Sequence, residues 1–289
     1  MIDLHMHSTF SDGKDSVEKL IENVKSAGID YFSLTDHDTA AGCREILENK
    51  KLREKIIENK LTFVVGTEFS CLYKNYEMHI LAYDFNPFTQ EVFEFEKEMT
   101  RLLKQKDAFR SKEIEKAGYV LSEHSKAFLK TRLNIRKLDF ANCLVNDGYF
   151  QNVDDACVNF LNKMKYSGQD RLDAIEVLKT MTKIGAKMVW AHSLHGLNEK
   201  PITTSEVEEV VKQLKPFGLA GLECFYSLYD KNEIQSLVEI AERNDLFITC
   251  GSDYHGKNKY VQLAEMSRDG TIVDESKIKV KSIFKNVIC

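Results

Sequence analysis

The chain has 289 residues, with 45 acidic against 40 basic side chains, a formal net charge of −5 and 43% hydrophobic residues. That balance suits an ordinary globular protein, and only 3 prolines and 14 glycines exclude collagen-like and low-complexity chains. No stretch approaches the roughly 20 apolar residues that cross a bilayer. Met1–His7 shows neither a basic segment nor an apolar secretory run, so a cytoplasmic protein is expected.

Seven cysteines, at 43, 71, 143, 157, 224, 250 and 289, are an odd number without a C-x-x-C pair. Such spacing fits neither a disulfide framework nor a thiolate zinc site, and small buried apolar residues are expected instead.

In chain order, Met1–His7 reads as a strand. Val17, Leu20, Ile21 and Val24 then recur at helical spacing, with Asp15 and Glu18 placed as a capping box and Gly28 as a stop. Tyr31–Leu34 reads as a strand, Ala41–Leu47 as a short helix, and Leu61–Val65 and Met78–Tyr83 as two further strands. After residue 185 the alternation resumes with strands at Lys187–Ala191, Leu219–Phe225 and Leu246–Cys250, and helices around Val207–Leu214 and Ile234–Ala241. Alternation of this kind points to an α/β protein with a mainly parallel sheet, open or closed into a barrel.

Residues 91–170 differ in character. Glu91–Lys116 is long, polar and helix-prone, and no apolar strand follows before Asp170. The segment 101–137 holds eleven Lys/Arg against four Asp/Glu in an otherwise acidic chain. The domain expectation is a barrel formed by 1–90 and 171–289, carrying a helical, substrate-capping insert at 91–170. The basic segment reads either as a solvated helix face or as a surface for an anion.

The chemistry gathers at strand ends. His5 and His7 close the first strand, and two-residue spacing puts both on one face. Asp12 follows in a polar loop, Asp36-His37-Asp38 follows the second strand and Glu68 the third, while His79 lies within the fourth. His192 and Glu223 end two more strands, and the last runs into Gly251-Ser252-Asp253-Tyr254-His255. A single H-x-H or strand-end carboxylate has ordinary structural explanations. Six histidines and several carboxylates at successive strand ends do not, because a barrel brings those ends together. Imidazoles and carboxylates bind Mn²⁺, Fe²⁺ or Zn²⁺, and about nine ligands suffice for two or three ions. Such ions lower the pKa of water and so point to hydrolysis. No P-loop, G-x-S-x-G or G-x-G-x-x-G competes.

Asp3-Leu4-His5-Met6-His7-Ser8, Leu34-Thr35-Asp36-His37, Gly66-Thr67-Glu68, Met78-His79-Ile80-Leu81, Ala191-His192, Gly221-Leu222-Glu223 and Gly251-Ser252-Asp253-Tyr254-His255 together resemble the polymerase and histidinol phosphatase (PHP) superfamily. More narrowly, the chain resembles the stand-alone phosphoesterases that dephosphorylate AMP or nucleoside 3′,5′-bisphosphates. The resemblance implies a distorted (β/α)7 barrel with a small helical insert. It also implies three metal positions: His5, His7, Glu68 and Asp253 at the first, Asp12, His37 and His255 at the second, and His79 and His192 with bridging Glu68 at the third. Asp36 and Glu223 match positions that orient ligands or water, a helix-cap role remaining open for Glu223.

Two departures touch the substrate side. Where that branch carries R-x-H-[FI]-A, this chain has Lys137-Leu138-Asp139-Phe140-Ala141, so Lys137, with Arg132 and Arg136 nearby, is the candidate phosphate binder. Where Pro-Gly-Arg often follows Ala-His, this chain has Ser193-Leu194-His195. His195 is then a candidate phosphate ligand or proton donor, or else an uncommitted loop residue. The leading expectation is a phosphatase of a small phosphomonoester of the nucleotide class, with two or three Mn, Fe or Zn ions. The alternatives are a phosphodiesterase or exonuclease, a histidinol-phosphate-type phosphatase and an inactive metal-binding module. A net charge of −5 argues against a long nucleic-acid footprint and no membrane partner is expected.

Overall fold

The computed structural model describes all residues except Asn75, Leu133, Asn134, Arg136, 196–201 and Lys259, together with the side chains of Asn258 and Lys281. The chain opens with β1 (Ile2–Asp3), α1 (Val17–Ser26), β2 (Tyr31–Leu34), α2 (Ala41–Glu48), α3 (Lys50–Glu58), β3 (Thr62–Tyr73) and β4 (Tyr76–Tyr83). Four helices follow, α4 (Gln90–Lys116), α5 (Glu123–Thr131), α6 (Lys137–Asn146) and α7 (Val153–Asn159). Alternation then returns with β5 (Leu172–Asp173), α8 (Ala174–Lys183), β6 (Lys187–Trp190), α9 (Thr204–Leu214), β7 (Leu219–Tyr226), α10 (Lys231–Arg243) and β8 (Phe247–Gly251). The chain closes with α11 (Val280–Ile283) and β9 (Val287–Ile288). Two compact units result, Met1–Glu96 with Leu172–Cys289, and Lys97–Arg171.

In the first unit the strands run in the order β1-β2-β3-β4-β6-β7-β8, with β5 and β9 added to β3. The ring closes between its ends: Leu4 N donates to Cys250 O at 3.0 Å, His7 N to Tyr254 O at 2.9 Å and Asp253 N to His5 O at 2.8 Å. This is the seven-stranded distorted barrel that the resemblance implied. Within the ring one strand breaks the parallel pattern, since β4 pairs antiparallel with both β3 and β6, and outside it β9 also pairs antiparallel with β3. The hairpin lets Glu68 on β3 and His79 on β4 enter the same end of the barrel from opposite chain directions.

Local sequence explains the elements. α1 buries the expected Val17, Leu20, Ile21 and Val24. Its cap, however, is Ser16, whose side chain accepts from Lys19 N at 3.3 Å. Asp15 instead accepts from Asn23 Nδ2 and Tyr254 Oη, each at 2.8 Å. True capping boxes open α9 (Thr203, Glu206) and α10 (Asp230, Glu233). The third strand runs past the expected Val65 to Tyr73 because Gly66 continues rather than interrupts it: a Cβ there would lie 2.3 Å from Ser33 Oγ. Inside the barrel the fully buried Tyr83 donates to Leu4 O at 2.9 Å.

The second unit is helical. Ile114, Leu129, Phe140, Cys143, Leu144, Ala156 and Leu161 form its core, with Tyr119, Phe150 and Phe160 packed against it. Asp147 braces the start of α5 by accepting from Ser122 N at 2.8 Å and from the hydroxyls of Ser122 and Ser125 at 2.6 and 2.9 Å. Six of the seven cysteines are buried and none is disulfide-bonded. No helix among the described residues is long and apolar enough to cross a membrane.

The end of the chain is tied to the barrel by one carboxylate. Asp84, buried and at φ 59°, accepts from Lys285 N and Asn286 N, both at 2.8 Å. Asp84→Ala leaves both amides without this acceptor and puts alanine in the left-handed region, each disfavoured by roughly 1–2 kcal/mol. The thermal midpoint is therefore expected to fall by several degrees. Asp84→Asn, which keeps an acceptor and tolerates the conformation, should lose less. Equal midpoints for wild type and Asp84→Ala would contradict this tie.

Candidate metal centre

The ends of the barrel strands converge on Glu68. This residue is fully buried, and its backbone is fixed by a bridge to His37 and by bonds from Asp38 N to Glu68 O (2.8 Å) and from Glu68 N to Asp36 O (3.2 Å). Around Oε2 lie His5 Nε2 at 3.1 Å, His7 Nε2 at 3.2 Å and His37 Nδ1 at 3.1 Å. Around Oε1 lie His79 Nδ1 at 2.9 Å and His192 Nε2 at 3.1 Å. Five imidazoles thus face one carboxylate.

Protons alone do not satisfy this arrangement. His5 Nε2, His7 Nε2, His37 Nδ1 and Glu68 Oε2 are buried and make no hydrogen bond, although they face one another closely. Buried polar atoms without partners are rare and costly, and imidazole nitrogens crowded round one carboxylate oxygen form a set that a divalent cation would satisfy. The tautomers agree with this. His5 Nδ1 is engaged with Glu223 Oε1 at 2.9 Å and His255 Nδ1 with Asp253 O at 2.7 Å. In each case the Nδ1–H donates, which leaves the Nε2 lone pair for a metal.

Three groups have donor atoms close enough to share an ion: His5, His7, Glu68 and Asp253; His7, Asp12, His37 and His255; and His37, Glu68 and His79. His192 joins the third through Glu68 and through His79 Nδ1, 3.1 Å from its Nε2. The barrel therefore gathers all nine candidate ligands into one cluster. His7 and His37 each stand between two groups, a sharing absent from the family-derived assignment. A mixed set of imidazole and carboxylate donors, with no thiolate, suits Mn²⁺, Fe²⁺ or Zn²⁺.

The supporting residues are equally specific. Glu223 accepts from His192 N at 2.8 Å as well as holding His5, so it orients two candidate ligands and caps no helix. Behind it, a Cβ on Gly251 would sit 2.1 Å from His5 Cβ and 2.7 Å from Glu223 Oε1. Asp36 accepts from Ser8 N (2.8 Å), Ser8 Oγ (2.7 Å) and Ser11 Oγ (2.6 Å), thereby holding the loop that carries Asp12. His195 stacks on Tyr229, with centroids 5.5 Å apart at 18°, and its amide donates to His192 O at 2.9 Å. The loop thus places it beside a ligand.

Other supporting residues were given no role from the sequence. Asp3 accepts from His5 N, Ser252 N and Ala264 N at 3.0–3.3 Å, and Tyr226 donates to Asp253 Oδ2 at 3.2 Å. Asp38 accepts from Ser70 N at 2.7 Å and Ser70 Oγ at 2.9 Å. Asp3 opens the D-x-H-x-H run and could have been suspected from it. Tyr226 sits in an apolar strand and could not.

Electrostatics divides the acids. Against the opposing effect of burial, His5, His79 and His37 hold Glu68 well below the usual carboxylate range, and His37 and His255 do the same for Asp12. Burial raises Asp3 and Asp36, each against its own hydrogen bonds. Burial opposes a proton on His7, but Asp253 and Glu68 outweigh it and push that imidazole up to about 9. His37 and His255 are lowered, mainly by burial.

In the helical unit, Lys137 Nζ donates to Asn162 Oδ1 at 2.7 Å from an exposed position. Arg132 Nε lies 3.5 Å from Asp139 Oδ1. The third candidate phosphate binder, Arg136, lies outside the described residues.

The PHP domain pattern matches residues 3–168, more than half of the chain. The chain belongs to the PHP domain family. As a PHP-family protein it is a metal-dependent phosphoesterase, a hydrolase of phosphoric esters. It is similar to a 5′-3′ exoribonuclease of Haemophilus influenzae, 26% identical over 272 residues that cover 91% of this chain and 93% of that one. It is also similar to a 3′,5′-nucleoside bisphosphate phosphatase of Chromobacterium violaceum, 21% identical over 257 residues that cover 88% and 87%. Its fold matches a solved structure from Bifidobacterium adolescentis, with TM-score 0.76, 24% identity and coverage of 98% and 94%.

Glu68→Gln removes the shared negative charge and is expected to lose bound metal even at saturating metal concentration. Glu223→Gln keeps an acceptor for His5 and should retain full stoichiometry, with affinity lowered roughly 10- to 100-fold. Elemental analysis of both variants checks this ranking, and equal losses would contradict it.

Proposed function

We propose that this PHP protein is a phosphatase of small nucleotides, releasing phosphate from a substrate of the AMP or nucleoside 3′,5′-bisphosphate class. Two or three Mn, Fe or Zn ions are its cofactors in this reading. The observation that carries it is the unpartnered set of buried donor atoms around Glu68 Oε2. The name of one relative supports the class of ester, the 3′,5′-nucleoside bisphosphate phosphatase of Chromobacterium violaceum.

Bound divalent ions would supply Lewis acidity, lowering the pKa of water and neutralising charge that builds up on phosphoryl oxygens. The chain's own residues fix where that happens. His5, His7, Glu68 and Asp253 would hold one ion, Asp12, His37 and His255 a second, and His79 and His192 with Glu68 a third. Asp12 is the carboxylate of the cluster with a third of its side chain exposed, 32%, so the phosphate approaches on its side. Asp36 keeps Asp12 in place through Ser8 and Ser11. His195, fixed on Tyr229 next to His192, donates a hydrogen bond to the phosphate or a proton to the leaving oxygen. Lys137, Arg132 and Arg136 are the candidate cations for the substrate's phosphate, by charge-assisted hydrogen bonds.

A second reading has its own observation. The exoribonuclease relative is 26% identical over 91% of this chain, so the leaving group could be the remainder of a short RNA. The two reactions differ in product, which makes the test direct. Phosphate release is measured for AMP, a nucleoside 3′,5′-bisphosphate, sugar phosphates and histidinol phosphate, and nucleotide release for 5′-phosphorylated oligoribonucleotides. The proposal predicts the highest kcat/KM on a mononucleotide, loss of activity with a chelator and its return with Mn²⁺. Faster nucleotide release from oligoribonucleotides would replace it with the exonuclease reading. Chelator-resistant hydrolysis would overturn both.

A further inference from the structure

Away from the metal centre, the barrel carries a second concave site. A cavity of about 800 Å³ lies among residues of the β4–α4 connection, the α8–β6 turn and the final strand β9. That is the size of a small-molecule site, typically about 300–1,000 Å³. It belongs to the opposite end of the barrel from the metal centre. Lys187 opens β6 and pairs with Tyr83, the last residue of β4, whereas His192 lies beyond the other end of β6. Five residue steps lead from Lys187 to His192, at most roughly 16 Å if fully extended.

The walls combine two kinds of chemistry. Val65, Phe85, Ile184 and Val287 supply an apolar surface, while Lys187 and Lys285 supply two ammonium groups. Among the described residues neither Lys187 Nζ nor Lys285 Nζ has a hydrogen-bonded or ionic partner. The carboxylate in the same wall does not provide one, because Asp84 accepts from the backbone amides of Lys285 and Asn286 through Oδ2 and Oδ1. The cavity therefore offers an apolar surface lined by two ammonium groups and one carboxylate whose oxygens are already engaged, a net positive charge of one.

We propose that this cavity binds a small amphipathic organic anion, its apolar ring or chain against Val65, Phe85, Ile184 and Val287 and its acidic group on Lys187 and Lys285. Such a ligand touches β3, the β4–α4 connection and β9 at once, so it also stabilises the attachment of the final strand. The site is independent of the nucleotide reading, since it contains no residue of the metal cluster.

The probe is 1-anilinonaphthalene-8-sulfonate, an aromatic body with one fixed anion, titrated by fluorescence. N-phenyl-1-naphthylamine serves as its uncharged counterpart. Wild-type protein is expected to bind one sulfonate probe per chain and to gain thermal stability from it. In Lys187→Glu/Lys285→Glu the sulfonate should bind about tenfold or more weakly, the loss of a charge-assisted contact. The uncharged probe should be affected little by the same change. Lys187→Gln/Lys285→Gln gives the same test with a smaller charge change, and unaltered phosphoesterase activity shows that each variant is folded. Equal sulfonate affinity in wild type and variants, or the absence of saturable one-to-one binding, would overturn the proposal.

Discussion

The structure turns on one buried carboxylate that faces five imidazoles. Glu68 sits in the middle of a twelve-residue strand and meets His5, His7 and His37 at one oxygen and His79 and His192 at the other. In a dry interior such a group cannot be satisfied by its neighbours' protons alone, because three of the five nitrogens make no hydrogen bond to it or to anything else. Divalent cations resolve the conflict, and their Lewis acidity is what hydrolysis of a phosphate ester needs. Fold, cofactor and reaction class follow from the same constraint.

Holding that constraint in place has a visible conformational cost. His192, Asp253 and Asp38 all have positive φ, at 31°, 57° and 57°. Such backbone persists only where the surroundings over-determine it. Here Glu223 grips the His192 amide, Tyr226 the Asp253 carboxylate and Ser70 the Asp38 carboxylate. Each support fixes the direction of a candidate ligand, and small errors in direction matter at a metal site. The close approach of Gly251 to His5 belongs to the same scheme, because any side chain there would displace a ligand.

Much of this was legible in the sequence because the relevant signals are local. Amphipathic spacing in α1 marked its buried face, and polar residues at the ends of apolar runs marked the site. The rest was hidden where tertiary pairing decides. Gly66 looked like a strand end but is a point of close approach between β2 and β3. The two-residue strands β5 and β9 exist only through their pairing with β3 and have no periodicity to read. Asp15 had the spacing of a cap, yet Tyr254, distant in sequence, claims it and Ser16 caps α1 instead. At the site, ligand types could be read, but the sharing of His7 and His37 between groups depends on distances across the barrel. Tyr226 gave no signal, since a tyrosine in an apolar strand is first of all a core residue.

Glu68 is the proposed shared ligand of a multi-ion cluster. The most direct measurement is anomalous diffraction at the manganese edge from crystals grown with Mn²⁺. The claim predicts at least two peaks, one among His5, His7, Glu68 and Asp253 and one among Asp12, His37 and His255, with Glu68 contributing an oxygen to the first and to any third ion beside His79 and His192. A single peak, or peaks that leave the Glu68 carboxylate uncoordinated, would contradict it.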